Sequence, residues 1–183
     1  AKYVEHFTGI RPEIFPSWID TKESYKGESS DILVNPIYAS VDNIQKIWAL
    51  LGLVSSHVIS LSVKYRTDKY TMNQLCDNKA IIHFPHQVST RILFEQYAMG
   101  IPILVPTPEF LWELHDKYGI VSERTLEMLR SGGIERPSRS KILGLIQQAD
   151  PNNDLDRTSF LHWIAFSDFY TWPHILQFGS WSN

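Results

Sequence analysis

Two hydroxyl residues and a carboxylate, spaced along one predicted helix, are the residues of this chain best suited to bind a ligand. Ser89 and Thr90 open an apolar helical pattern over residues 90–99, and Glu95 lies within it. Either hydroxyl residue would cap the helix, whose free N–H groups and positive dipole end suit a diphosphate. Glu95 lies roughly 7–8 Å further along the axis at ~1.5 Å per residue. An ionised carboxylate accepts both donors of a vicinal diol, so this spacing fits a ribose joined to a diphosphate.

The same residues have an ordinary structural interpretation. Ser89 or Thr90 would cap this helix without any ligand, and Glu95 follows Arg91 by four residues, the spacing of a modest surface ion pair. Against this, the neighbours of Glu95 are mostly apolar and leave little polar face around it. The residue pattern alone leaves both interpretations open.

Other candidate sites are weaker. His83 and His86 are three residues apart, so on an extended chain they point to opposite faces, and no third metal ligand is evident. We interpret His86 as a loop residue that contacts the ligand and Cys76 as a small buried apolar group. Residues 150–156 resemble a calcium loop, but Leu155 replaces the required glycine, which favours a helix-capping loop. No sequence motif of a serine hydrolase, a P-loop NTPase or a dinucleotide-binding enzyme is present.

The elements that position these residues alternate between strands and helices. The predicted strands are 32–38, 57–63, 80–85 and 101–106, and the helices between them are 42–52, 71–77 and 90–99. Short apolar strands alternating with helices indicate an α/β fold with a Rossmann-like parallel sheet covered on both faces. Ligands bind such sheets beyond the carboxyl ends of the strands, where the loop before Thr90 lies.

Beyond Pro106 the pattern predicts only helices, at 109–118, 122–130, 138–148 and 158–170, the last continuing into 173–178. The tail is rich in aromatic residues, which predicts that it docks onto another surface. We divide the chain into a linker segment at 1–30, a Rossmann-like domain at 31–150 and C-terminal helices at 151–183 that pack back on the fold.

Composition excludes several classes of protein. The chain has 183 residues, 43% of them hydrophobic, and a formal net charge of -3 without a dense basic run, which argues against nucleic acid as the main partner. A single cysteine excludes an internal disulfide framework. No apolar run approaches the ~20 residues of a membrane span, and the start lacks a signal-peptide profile, so we expect a soluble piece. Because it begins with Ala1 rather than Met, we also expect it to be part of something longer.

Residues 94–106, Phe-Glu-Gln-Tyr-Ala-Met-Gly-Ile-Pro-Ile-Leu-Val-Pro, resemble the signature of the C-terminal lobe of GT-B glycosyltransferases. In that signature a helix carrying Glu runs into a small residue, Gly, a variable residue, Pro and an apolar strand. Residues 3–9 and 14–20 look like the last helix and strand of the preceding acceptor lobe. The aromatic tail resembles the terminal helix that crosses back to that lobe. The resemblance implies that this lobe binds a nucleoside-diphosphate sugar, with Glu95 on the ribose, and needs no other cofactor and no metal.

The resemblance also implies the remaining donor contacts. Lys64 and Arg66, just past the second strand, match positions that often carry basic residues facing the diphosphate. The donor-binding set is therefore Glu95, Gln87, Ser89, Thr90, His86, Lys64 and Arg66. One departure concerns Gln87, eight residues before Glu95, where retaining families have a second carboxylate. Gln87 donates and accepts hydrogen bonds but does not ionise, which puts retaining stereochemistry and activity itself in doubt.

Two functions follow. In the first, the chain is part of a transferase in the cytoplasm or the Golgi lumen, and a missing N-terminal lobe supplies the acceptor site and any catalytic base. The lobe alone would then bind its donor without turnover. In the second, the chain is an inactive Rossmann-like binding or scaffold module, as Gln87 suggests.

Overall fold

The core of the protein is a five-stranded sheet in which all strands run parallel. The computed structural model describes residues 9–13, 19–65, 70–87, 89–120 and 156–182. The strands are β1 (Ile32–Val34), β2 (Val58–Ser60), β3 (Ala80–Ile82), β4 (Ile103–Pro106) and β5 (Leu176–Phe178), in the spatial order β2-β1-β3-β4-β5. The predicted α/β class with a Rossmann-like parallel sheet is confirmed.

Seven helices are described. They are α1 (Val41–Val54), α2 (Leu61–Lys64), α3 (Met72–Cys76), α4 (Arg91–Ala98), α5 (Pro108–Tyr118), α6 (Arg157–Ile164) and α7 (Asp168–Thr171). Their starts follow from local chemistry. The Ser40 side chain accepts a hydrogen bond from the backbone of α1, and Thr107 does the same for α5, which has proline at its first position. Helix α5 ends at Gly119, whose φ of 63° is accessible to glycine at little cost.

The helices cover both faces of the sheet because neighbouring strand residues point in opposite directions. Val34 and Ile82 pack with apolar residues of α1, α5 and α6. Leu33 and Ile81 pack on the other face with α2 and α3, and the same face continues to α4 and α7 through Ile103 and its neighbours. A fully buried side chain of this size contributes about 1.5–3 kcal/mol, so the two layers fix the strand ends in place.

The structure shortens the strands predicted at 32–38 and 80–85 to Ile32–Val34 and Ala80–Ile82, and it corrects two other predicted elements. The second strand was predicted over 57–63, but only Val58–Ser60 is extended, and Leu61–Lys64 forms α2. Helical geometry buries Leu61 in the core and leaves Val63 71% exposed, so packing overrides the β-propensity of this segment. Residues 173–178 were predicted to be helical, yet Leu176–Phe178 forms β5 and satisfies the backbone groups along one edge of β4.

The remaining C-terminal predictions have mixed outcomes. The predicted helix over 158–170 is present but is interrupted between α6 and α7. The predicted helices at 122–130 and 138–148, and the calcium-like stretch at 150–155, lie outside the described residues. Of the aromatic tail, Phe178 and Trp181 pack against Phe84 and Phe110 of this same domain. Much of the tail's aromatic surface is therefore covered by the sheet domain itself.

Part of the predicted linker is held by the sheet domain. The backbone N–H groups of Lys26 and Gly27 donate to the carbonyl oxygen of Cys76, and Tyr25 N donates to Met99 O at 2.8 Å. The hydroxyl of Tyr25 donates to Lys79 O at 3.1 Å. Residues 25–29 thus form a strap across the ends of α3 and α4. Among the described residues, no helix combines the length and apolar character needed to cross a membrane.

Candidate functional site

The strand order reverses between β1 and β3, and we call the region between the loops that follow these two strands the crevice. The chain passes from β1 to β2 on one side and from β3 to β4 on the other, so these two loops leave the carboxyl edge toward opposite faces. In open parallel sheets such a reversal of strand order is the usual place for a ligand. The described residues of these loops are 35–40 for the first and 83–87 with 89–90 for the second, which leads into α4.

Three buried polar side chains form the floor of this crevice. Asn35, His83 and Gln96 are 5%, 4% and 0% exposed. Gln96 Oε1 lies 2.5 Å from His83 Nε2 and 3.2 Å from Asn35 Nδ2. Asn35 Nδ2 lies 2.9 Å from His83 Nδ1, and Gln96 Nε2 donates to Asn35 Oδ1 at 3.3 Å. The cluster ties the ends of β1 and β3 to α4, and its members hydrogen-bond to one another.

The hydrogen-bond network assigns a neutral tautomer to His83. Asn35 Nδ2 lies 2.7 Å from Nε2 and 2.9 Å from Nδ1, whereas Gln96 Oε1 contacts Nε2 alone. The amide oxygen can only accept and the amide nitrogen can only donate, so Nε2–H donates to Gln96 and Nδ1 accepts from Asn35. Burial lowers the pKa of His83 from 6.5 to about 4, which keeps the ring uncharged at neutral pH. The Phe169 ring lies 5.5 Å from the imidazole, centroid to centroid. The floor is therefore neutral and tightly packed.

Helix α4 projects beyond the carboxyl edge of the sheet. Gln96 contacts the residues that follow the strand ends, and Arg91 precedes it by five residues, so the helix begins roughly 7–8 Å from Gln96 along its axis. Thr90 occupies the N-cap position, but its hydroxyl makes no capping hydrogen bond. Thr90 Oγ1 is buried and has no hydrogen-bond partner. Buried polar atoms are usually satisfied, so this hydroxyl is an unpaired donor and acceptor at the start of α4, and a ligand would reach it only after the residues that cover it shift.

Glu95 lies on the projecting part of α4 and is paired with Arg91. Its Oε1 accepts a hydrogen bond from Arg91 Nε at 2.9 Å. The Glu95 side chain is 19% exposed, whereas that of Arg91 is 88% exposed. This contact is the surface ion pair that the four-residue spacing allows. It engages one carboxylate oxygen, so the ion pair and a contact with a diol are sterically compatible roles.

A pair of aromatic rings joins the two loops of the crevice. The centroid of the Tyr38 ring, from the loop after β1, lies 3.9 Å from that of His86, from the loop after β3, and the planes meet at 30°. Burial lowers the pKa of His86 to about 4, so this ring is also neutral at pH 7. The sequence identified His86 as a candidate but not Tyr38. The available signal was the position of Tyr38, four residues past the end of β1.

The other predicted donor contacts do not all lie at the crevice. Gln87 and Ser89 are half-buried in the loop before α4. Lys64 Nζ lies 2.8 Å from Asp31 Oδ2 and 2.5 Å from Asn78 Oδ1. Asp31 and Asn78 precede β1 and β3, so the Lys64 ammonium group lies near the amino edge of the sheet rather than at the crevice. The final predicted contact, Arg66, lies outside the described residues.

Other chemistry is limited in the described part of the chain. No group of three or more His, Cys, Asp or Glu residues there is arranged to hold a metal ion. Cys76 is buried beside Met99, and burial raises the pKa of its thiol, so it is a poor nucleophile. The crevice therefore offers hydrogen bonds, an ion pair and aromatic faces.

The fold and crevice define an open parallel α/β domain with a candidate ligand site at its carboxyl edge. Comparison of the chain with protein-family models, with curated proteins and with solved structures finds no match.

Proposed function

We propose that this domain binds the nucleoside diphosphate of a nucleotide sugar, as the donor-binding lobe of a glycosyltransferase. The observation that carries the proposal is the projecting first turn of α4, where Thr90 Oγ1 is buried without a partner beside Arg91 and Glu95. The backbone N–H groups of that turn and the Thr90 hydroxyl are donors for a diphosphate. A positively charged Arg91 nearby adds attraction for the same group.

In this proposal Glu95 binds the ribose. Its carboxylate lies one turn along α4 from the diphosphate end, and one of its oxygens is occupied by Arg91. The other oxygen accepts from a ribose hydroxyl, while Arg91 holds the carboxylate in place. Ser89, Gln87 and His86 line the approach from the preceding loop. Lys64 joins the diphosphate only if its ammonium group leaves Asp31, so we expect it to contribute least.

Calorimetric titration with UDP, GDP and ADP tests the proposal. Saturable binding of one nucleoside diphosphate by the folded domain is expected. Replacing Glu95 by Ala should weaken that binding by about 1–3 kcal/mol, because a buried diol would lose a charged acceptor. Glu113→Ala is the matched control, since Glu113 is an exposed carboxylate on α5. Failure of the folded wild-type domain to bind any of the three nucleotides would refute the proposal.

The Arg91–Glu95 contact requires a second variant. Glu95→Ala also releases Arg91, so a loss of affinity could arise from a displaced guanidinium group rather than from the ribose. Arg91→Ala leaves Glu95 intact and separates the two effects. If Glu95→Ala lowers the affinity for UDP more than the affinity for inorganic pyrophosphate, the carboxylate contacts the nucleoside part of the ligand. Equal losses for both probes would reassign Glu95 to holding Arg91.

A second candidate is an inactive binding or scaffold module with the same fold. Gln87 favours it, because an amide stands where the resemblance calls for an ionised group. The Lys64–Asp31 contact favours it as well, since it holds one predicted diphosphate contact at the other edge of the sheet. Nucleotide binding without sugar transfer by the complete protein would support this candidate over the transferase.

A further inference from the structure

We propose that the stacked rings of Tyr38 and His86 form a platform for the base of the bound nucleotide. This inference rests on the proposed function, since it identifies where the base of that nucleotide would lie. It assigns a role to Tyr38, which the sequence pattern did not single out.

The two rings come from separate loops that meet only because of the strand order. Their centroids are 3.9 Å apart at an interplanar angle of 30°, which is a stacked geometry. Tyr38 is nevertheless 39% exposed. The neighbouring Ile37 is 8% exposed and belongs to the core cluster, so the backbone that carries Tyr38 is anchored. An aromatic ring with one face supported and substantial exposed surface is preorganised to stack with a planar ligand.

The absence of charge on these rings favours a base over a phosphate group. His86 is half-buried, and its lowered pKa leaves the imidazole neutral at pH 7. A phenol and a neutral imidazole offer π-faces and hydrogen-bonding edges, whereas phosphates need cations or convergent N–H donors. Every base has a π-face, and stacking on an aromatic side chain tolerates differences between bases. The platform therefore predicts a contribution to affinity without fixing which base binds.

Tyr38 and His86 have different parts in this arrangement. Tyr38 contacts the base with its exposed face, and His86 is a positioning residue that supports the opposite face. Tyr38→Leu removes the π-face and keeps an apolar side chain. Tyr38→Phe keeps the π-face and loses only the hydroxyl. His86→Phe preserves the supporting ring, whereas His86→Ala removes it.

Titration with UDP, uridine and inorganic pyrophosphate tests the platform. Stacking on an aromatic side chain is expected to account for about 5- to 150-fold in affinity. Tyr38→Leu should lower the affinity for UDP and uridine within that range and leave the affinity for pyrophosphate unchanged. Tyr38→Phe should keep the affinity of the wild type. His86→Ala should lower the affinity for UDP, and His86→Phe should keep most of the affinity of the wild type. The control is Tyr25→Leu, because Tyr25 is 38% exposed but lies in the strap across the ends of α3 and α4.

The outcomes distinguish this inference from the function on which it rests. Unchanged UDP affinity in a folded Tyr38→Leu variant, together with a loss in Glu95→Ala, would overturn the platform and retain the nucleotide site. An equal loss for UDP and pyrophosphate in Tyr38→Leu would also overturn it, because the effect would then not concern the base. If Tyr38→Leu lowers the affinity for UDP-sugars but not for UDP, Tyr38 contacts the sugar and the base assignment is overturned. A wild-type domain that binds none of UDP, GDP and ADP removes the proposed function and the platform with it.

Discussion

Acidification should destabilise this domain through the buried imidazole of His83. In the unfolded chain His83 takes up a proton near pH 6.5, whereas in the folded protein burial lowers its pKa to about 4. Between these two values the unfolded state binds more protons, so stability is complete above about pH 6.5 and falls as the pH decreases toward 4. His83 in the folded protein would have to charge beside Asn35 and Gln96, in a cluster that holds no carboxylate to compensate.

The expected size follows from the two pKa values. Their separation, at ~1.4 kcal/mol per pH unit, corresponds to about 3 kcal/mol over the whole titration, of which about 2 kcal/mol is lost between pH 7 and pH 5. Urea denaturation at pH 7 and pH 5 measures this loss as a change in the free energy of unfolding. His86 acts in the same direction, because burial also lowers its pKa to about 4, but its partial exposure makes its share smaller.

A variant isolates the share of His83. His83→Gln keeps an amide that donates and accepts hydrogen bonds but does not titrate. It should be less stable at pH 7, yet its loss between pH 7 and pH 5 should be smaller than that of the wild type by about 2 kcal/mol. His174→Asn is the control, since His174 is exposed and has a φ of 64° that asparagine tolerates. An identical loss in His83→Gln and in the wild type would refute the assignment of a buried neutral histidine.

Three further perturbations test parts of the structure by urea denaturation. Gln96→Met keeps the side-chain volume but removes the acceptor for His83 Nε2–H, so it should cost about 1–3 kcal/mol, and a neutral effect would contradict the network. Arg91→Ala breaks an exposed pair with Glu95 and should cost at most about 0.5 kcal/mol, so a loss above 1 kcal/mol would mean that the pair has a larger structural role. Gly27→Ala should cost about 1–2 kcal/mol, because φ is 65° there and the added methyl group would meet the tyrosine ring of the strap, whereas unchanged stability would show that the strap contributes little.

The sheet could be predicted from the sequence wherever burial is continuous along the chain. Ile32–Val34 and Ala80–Ile82 lie in the middle of the sheet, so both faces require apolar residues and the pattern is strong. Leu176–Phe178 lies at the edge, is mostly exposed and pairs with β4, more than 70 residues earlier in the chain. Its extended structure depends on that distant partner, so no local pattern indicated it.

The candidate site was predictable only in part for the same reason. The α4 start and Glu95 follow from spacing within one helix, which the sequence shows directly. The floor joins residues 48 and 61 positions apart, and only the strand order brings them together. One local signal was available, since Gln96 follows Leu93 by three residues and therefore shares the buried stripe of α4. A polar residue on such a stripe indicates a buried partner before that partner is known.

The residues of the crevice floor should affect mainly the stability of the fold, and those of the first turn of α4 mainly the binding of a ligand. Asn35, His83 and Gln96 satisfy one another inside the protein, so replacing them changes the free energy of folding and affects a ligand only through the position of α4. Arg91 and Glu95 lie beyond the strand ends and contribute little to folding, so their replacement should act mainly on binding. If the crevice binds an anionic ligand, the two groups of variants will therefore differ in kind. Floor variants will lower stability and will change the affinity of the folded protein only where α4 moves, while variants of the turn will lower affinity at constant stability.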